Sequence, residues 1–264
     1  MLTRRSFFAF SAAASFARHA RAASAPLFKP VEINHIALRV LDLEESETYY
    51  RDLFGAPGII FEKPGQRYMR MGKNFVALFE KDEPAMDHFA VSIEDYDADA
   101  VEAKLKDLGH KTRRSSDFVY IHDPDGIEIQ IAHAEHEMAS PVVREAPEKS
   151  IFKGSGVRHV AVRVGKLERS VDFYQSLFGL QQSREAANGA WLSVGPNELG
   201  LFAGADPGLD HYSLAVESYD ARTAGKAMRA VGHPYNRNYG LFFAWDPNRH
   251  RIEVAGPDAK HRLE

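Results

Sequence analysis

The sequence predicts an α+β chain of two tandem domains, each built from a pair of βαβββ units. Three observations carry that expectation. First, the 264-residue chain says the same thing twice. "INHIALRVLDLEESETYYRDLFGA", from Ile33, returns from Val157 as "VRHVAVRVGKLERSVDFYQSLFGL", an offset of 124 residues. Further on, Gly72 matches Gly195, His88 matches His211, and Asp123-Pro124 matches Asp246-Pro247, all at an offset of 123. A long match with one gap marks duplicated domains. Second, each copy restarts halfway: "HIALRV" and "DHFAVSI" both alternate like strands, and a helical pattern follows each. Third, strand and helix periods are interleaved within each half, as a mixed fold requires.

The elements follow in order. After "HIALRV" a helix starts near Leu43, with Tyr50, Leu53 and Phe54 as its apolar face and Gly55 as its stop. "RYMRM" and "FVALFE" are short strands. "DHFAVSI" opens the second unit, and Asp97 caps a helix whose inward positions are Val101, Leu105 and Leu108. "FVYIHDPDGIEIQIA" reads as strand, Asp-Pro-Asp-Gly turn and strand. The second copy answers with "DHYSLAV", "SYDARTAGKAMRAVGH" and "LFFAWDPNRHRIEVA". The expected boundaries are 31–132 and 157–256, with the polar, Pro-bearing stretch 133–156 as linker.

Bulk composition narrows the function. A content of 44% hydrophobic and 27% charged residues is that of a globular chain. The net charge of −4, without a basic tract in the body, argues against nucleic acid as a partner. No cysteine is present, which excludes disulfides, thiolate metal sites and a cysteine nucleophile. No Gly-rich phosphate loop or nucleophile elbow occurs. The N-terminus has Arg4-Arg5-Ser6-Phe7, an apolar run to Ala17, and then Ala20-Arg21-Ala22. It resembles a twin-arginine signal, so residues 1–22 are expected to direct export through that machinery to the periplasm or beyond. The apolar run is too short for a permanent membrane anchor. Cleavage after Ala22 removes four arginines and no acid, leaving a net charge of −8.

The repeat pattern resembles the vicinal oxygen chelate superfamily of glyoxalases, extradiol dioxygenases, epimerases and bleomycin-resistance proteins. The resemblance rests on three features: the His-bearing first strands, the Asp-His pairs ending at His88 and His211, and the Asp-Pro-x-x-x-x-Ile-Glu run ending at Glu253. It implies that each pair of units curls its sheet into a cup whose floor holds a divalent metal. Strand alternation places His159, Ala161 and Arg163 on one face and Val160, Val162 and Val164 on the other. It likewise groups His211, Ser213 and Ala215, and puts Glu253 on the face of Arg251 and Phe243. By resemblance the metal ligands are His159, His211 and Glu253. Two imidazoles and one carboxylate leave open positions and suit Fe(II) or Mn(II).

The first domain offers His35 and His88. Gln130 stands at the position of Glu253, and Glu128 at that of Arg251, so this second set (His35, His88, Gln130, Glu128) is the weaker. Glyoxalase-like members carry a further acid where this chain has Ala77 and Gly200, so the ligand set is closer to that of ring-cleaving dioxygenases. Those enzymes place a tyrosine ten residues before the ligand Glu; that position is Phe243 here and Tyr120 in the first domain. His233 and Tyr239, in the loop "GHPYNRNYG", are the candidate acid/base residues, with His110 and His122 as counterparts in the first domain. Phe242, Phe243 and Trp245 are candidate pocket aromatics. "HAEHE" lies in the linker, and His250 and His261 read as surface residues. The resemblance therefore implies a metal-dependent oxidoreductase of extradiol type acting on a small molecule with vicinal oxygens. The alternatives are a metal-dependent lyase or isomerase, or a metal-free small-molecule-binding protein. The oligomeric state is left open.

Overall fold

The computed structural model describes residues 26–60, 64–133, 142–238 and 241–256. The export signal, Tyr239, His261, and Glu135 and His136 of "HAEHE" lie outside the described residues. The first unit is β1 (Pro30–Val40), α1 (Leu43–Phe54), β2 (Gly58–Ile60), β3 (Gln66–Met71) and β4 (Asn74–Glu80). The second is β5 (Ala85–Ile93), α2 (Ala98–Asp107), β6 (Arg113–Ser115), β7 (Phe118–His122) and β8 (Glu128–His133). A short strand, β9 (Val142–Arg144), follows. The third unit is β10 (Gly154–Val164), α3 (Leu167–Phe178), β11 (Gln182–Ala186), β12 (Gly189–Val194) and β13 (Asn197–Ala203). The fourth is β14 (Gly208–Val216), α4 (Ala221–Ala230), β15 (Tyr235–Asn238), β16 (Leu241–Trp245) and β17 (Arg251–Ala255). Units one and two form one sheet, β6-β7-β8-β5-β1-β4-β3-β2-β9; units three and four form the other, β11-β12-β13-β10-β14-β17-β16-β15. Among the described residues no helix is long and apolar enough to cross a membrane.

Local chemistry sets the helix limits. The Asp42 carboxylate accepts from the Glu45 N–H, and Asp97 and Asp220 cap α2 and α4 in the same way. Gly55 and Gly179 end α1 and α3 in the left-handed region. Leu108, expected on the buried face of α2, is 62% exposed, because the helix ends at Asp107 and Leu108 is its C-cap. The two faces of each sheet differ as alternation requires. Val160, Val162 and Val164 join the main core with Tyr174, Leu177 and Phe178 of α3. On the opposite face of the first sheet, Ala37, Phe75 and Ala77 form a separate small cluster with Tyr68 and Phe79.

One core spans both halves, and a reciprocal set of contacts locks them. Asn74 and Asn197 each bond to the first strand of both domains. The Ile33 N–H donates to Asn197 Oδ1 at 2.9 Å, and Asn197 Nδ2 donates to the Val157 carbonyl at 2.8 Å. Asn74 returns the pair, accepting from the Val157 N–H at 3.2 Å and donating to the Ile33 carbonyl at 3.3 Å. The Asp-Pro turns dock on the partner domain's first helix. Tyr174 donates to Asp123 at 3.1 Å, and Tyr50 donates to Asp246 at 3.2 Å.

The stretch expected as a plain linker does more than connect. β9 adds to the edge of the first sheet beside β2. Phe152 is 2% exposed and packs against Phe54, Tyr219 and Phe242, so it plugs the seam between domains. A three-residue strand and a single buried aromatic leave no period in a polar sequence, so neither is legible there. His250 is also buried, not a surface residue: its Nδ1 lies 2.8 Å from Asp246 Oδ2 beneath the turn.

Candidate metal centre

β10, β14 and β17 are neighbours in the second sheet. His159 pairs with Ser213, and Ser213 with Glu253, so the three residues form one row; His211 lies two residues back on β14, opposite Ala161. Odd-numbered positions here share a face, which brings both imidazoles and the carboxylate to the same hollow. The three residues are buried, and their donor atoms all lie within 4.8 Å of one another. Glu253 Oε2 is 3.9 Å from His159 Nε2 and 3.9 Å from His211 Nε2. Two metal–ligand bonds of about 2.1 Å reach up to about 4.2 Å, so one ion spans these gaps. Two neutral nitrogens and one anionic oxygen fit a divalent first-row ion.

The surroundings orient this set. His211 Nδ1 lies 2.7 Å from Asp210 Oδ1 and 3.0 Å from Arg251 Nη2, so these two groups hold the ring with Nε2 turned toward Glu253. Asp210 is held in turn by Arg163 Nη1 at 3.2 Å and by Arg251. Burial alone raises the Asp210 pKa, but the hydrogen bond and charge of His211, together with Arg251 and Arg163, outweigh it and hold the group at about 2. That contribution to stability is present above the ordinary carboxyl range and is lost as pH falls through about 2. Asp210→Asn is expected to weaken divalent-ion binding by about 10–100-fold, the usual effect of removing an outer partner. A Mn(II) titration with unchanged affinity would count against that role.

The fourth, acid-bearing position of glyoxalase-like members is closed here by packing. Gly200 pairs with Trp191 across β12 and β13. A Cβ on Gly200 would lie 2.8 Å from the Trp191 ring and 3.0 Å from Phe202. Trp191 is 1% exposed and meets His159 edge-on at 4.8 Å; Arg184 lies over its ring at 4.1 Å and pairs with Glu198 at 3.1 Å. Gly200→Ala is therefore expected to cost about 1–3 kcal/mol through overpacking against Trp191. Equal denaturation midpoints for variant and parent would refute it.

A cavity of about 390 Å³ opens on this centre. Trp191, Phe202, Leu241 and Phe243 form its apolar side; Arg163, Asp210 and Arg251 form its polar side. Of the three aromatics expected in the pocket, only Phe243 lines it. Phe242 is fully buried in the core beside Phe152 and Tyr235, and Trp245 borders a different recess. His233 is not in the cup either. The turn after α4 carries it to the helix side, edge-on to Tyr49 at 4.9 Å, in a recess of about 690 Å³ shared with Glu44 and Asp52. Burial there pushes its pKa below the usual histidine value, with Asp52 opposing.

In the first domain His35 and His88 occupy the equivalent places, and Gln130 pairs with Ala90 as Glu253 pairs with Ser213. Glu128 lies near Asp87 and His88 but is forked by Arg113, at 2.9 and 2.7 Å. Tyr120 meets His88 edge-on. His122 is exposed, and His110 packs on Phe173 of α3. Sequence reasoning does not reach the roles of Asp210 and Trp191. The Asp-His dipeptide, present at 87–88 and 210–211, is the available signal for the first.

Two cups built from paired βαβββ units define the vicinal oxygen chelate fold. Residues 156–253, the second cup, match the family model described as the Glyoxalase/Bleomycin resistance protein/Dioxygenase superfamily. Solved structures with the same architecture include homoprotocatechuate 2,3-dioxygenase from Arthrobacter globiformis. It is 20% identical, with a TM-score of 0.72 over 89% of this chain and 82% of that one. The Brevibacterium fuscum enzyme in complex with 3,4-dihydroxyphenylacetate is 20% identical, with a TM-score of 0.71 over 87% of this chain and 81% of that one. An extradiol ring-cleaving dioxygenase from B. fuscum is 19% identical, with a TM-score of 0.70 over 87% and 72%. At these identities the likeness is one of fold.

Proposed function

We propose that this chain is a divalent-metal-dependent oxidoreductase of extradiol-dioxygenase type, acting on a small catechol-like molecule with two neighbouring oxygens. The observation that carries this is the buried His159, His211 and Glu253 group at the floor of a cavity with an aromatic wall. These residues would hold Fe(II) or Mn(II). Such an ion, when bound, supplies Lewis-acid polarisation of the two oxygens and a route for electrons to dioxygen. The protein's part is positional and electrostatic. Asp210 and Arg251 orient the His211 ring, and Trp191 packs edge-on against the His159 ring. Trp191, Phe202 and Phe243 give the cavity an aromatic lining suited to a ring-bearing molecule. Arg163 and Arg251 offset the negative charges of Asp210 and Glu253 in the same lining.

Chelator-stripped protein loaded with Fe(II) or Mn(II) under nitrogen, then given oxygen and catechols, is expected to consume oxygen in proportion to ring-opened product. No oxygen uptake by metal-loaded protein across a catechol panel would overturn the proposal. A second activity, metal-dependent lyase or isomerase chemistry, draws support from two observations. Phe243 stands where ring-cleaving enzymes carry a tyrosine, and His233 faces away from the cup. Turnover of a vicinal-oxygen substrate under nitrogen would select it. We also propose export of the folded chain through the twin-arginine route, tested by N-terminal sequencing of the periplasmic protein. A start before Ala23 would argue against it.

A further inference from the structure

The two Asp-Pro turns and the ends of β1 and β10 enclose a further cavity, of about 620 Å³, at the seam between the domains. None of His159, His211 and Glu253 lines it, although it shares Arg163, Asp210 and Arg251 with the second cup's cavity. Its walls are matched pairs: Arg39 and Arg163, Asp87 and Asp210, and the turns 125–128 and 248–251. The two turns differ in one direction. Where the first reads Asp125-Gly126-Ile127-Glu128, the second reads Asn248-Arg249-His250-Arg251. The Leu41 N–H donates to Asn248 Oδ1 at 2.9 Å, which fastens the end of β1 to the basic turn and brings Arg39 to the same cavity.

The acids of this cavity are already engaged. Arg169 and Ser170 of α3 hold Asp125, at 2.5 and 3.0 Å, and Arg113 forks Glu128. Asp87 meets His88, and Asp210 meets His211, Arg163 and Arg251. Arg169 and Arg113 stand outside the lining, so they cancel two carboxylates and leave the four lining arginines in excess. Several nitrogens on the wall lack an acceptor. Arg39 Nε, Arg251 Nε and His250 Nε2 are buried, with no hydrogen-bond partner among the described residues. His250 is 7% exposed and turns Nδ1 to Asp246, 2.8 Å away. With a proton on each nitrogen, its ring bridges Asp246 and an anion on the Nε2 side, an arrangement of alternating charge. Met86, Ile127 and Leu209 supply apolar lining, and the volume is that of a small-molecule site. We propose that this seam cavity binds a small organic anion, a carboxylate on an apolar body, recognised by Arg39, Arg249 and His250.

The test is calorimetric titration of the chelator-stripped full chain with benzoate, inorganic phosphate and benzylamine. Benzoate is expected to bind once per chain, at least about tenfold more tightly than phosphate, and benzylamine not to bind. Losing one partner of a charged hydrogen bond weakens binding by about 10–100-fold, so Arg249→Gln and His250→Phe should each lower benzoate affinity by that factor. Arg249 is exposed, so its variant reports on the site even if the His250 replacement unsettles the turn at Asp246. Leu241→Ala, at a residue that lines the second cup's cavity and not this one, should bind benzoate as the parent does. Benzoate lost in Leu241→Ala but kept in Arg249→Gln would place it in the second cup and overturn the proposal. Equal affinity for benzoate and phosphate would mark bare charge attraction, and no benzoate binding at all would dispose of the site. Because the protein is stripped, failure of the metal assignment leaves these outcomes unchanged.

Discussion

Glu253→Ala is expected to abolish retention of a divalent ion in the second cup and, with it, turnover. Loss of an outer partner costs about 10–100-fold in metal affinity, so loss of the only carboxylate among the three donors exceeds about 100-fold. The remaining set, His159 and His211, is neutral, and Ser213 Oγ, 3.4 Å from Glu253 Oε1, is too weak a donor to replace it. Stability separates this outcome from simple misfolding. Without metal, burial of the Glu253 carboxylate is only partly offset by the charge of Arg184, so the stripped variant should melt close to the stripped parent. Metal at about 100 times its dissociation constant stabilises the parent by about 2.7 kcal/mol, and that increment should vanish in the variant. Elemental analysis and paired melting curves check both parts. A variant that still carries Mn(II) after gel filtration would remove Glu253 from the ligand set, and with it the proposed reaction.

Among the described glycines, Gly195→Ala should be the most destabilising alanine substitution, with Gly72→Ala next. Both glycines stand at the first position of a two-residue hairpin loop, at φ of 58° and 60°. The greater obstacle is the other domain. A Cβ on Gly195 would lie 1.8 Å from the Val31 carbonyl oxygen, and one on Gly72 would lie 2.1 Å from that of Ser155. Both obstacles are backbone, so neither can rotate away. Left-handed strain of about 1–2 kcal/mol and overpacking of about 1–3 kcal/mol together predict a loss of about 2–5 kcal/mol. The Asn197 and Asn74 bridges that follow each turn would be strained as well. Urea denaturation gives the loss directly. A change below about 1 kcal/mol would show that the two halves slide apart easily.

The repeat makes the architecture legible. Matching Phe54-Gly55 to Phe178-Gly179 and Asp123-Pro124 to Asp246-Pro247 aligns all four units, because stop signals and turns are local chemistry written in adjacent residues. The juxtaposition of His159, His211 and Glu253 follows from strand parity once the units are aligned. What stays hidden depends on contacts distant in sequence. The position of His233 is set by how the turn after α4 meets α1 of the other domain. The burial of Phe152 and His250 likewise arises at the seam, where no local period reports it. Gly200 and Trp191 are nine residues apart, and neither residue type announces that the one makes room for the other.

The seam also bears on how such a chain came to exist. The main hydrogen bonds that close it have counterparts in the opposite half: Asn74 and Asn197, Tyr50 and Tyr174, Asp123 and Asp246. A single half therefore carries both the surface and its complement. Two identical copies, turned by a half-rotation, would satisfy one another with the residues already present. The duplication reads as the covalent record of an ancestral homodimer, and fusion then freed the two cups to diverge.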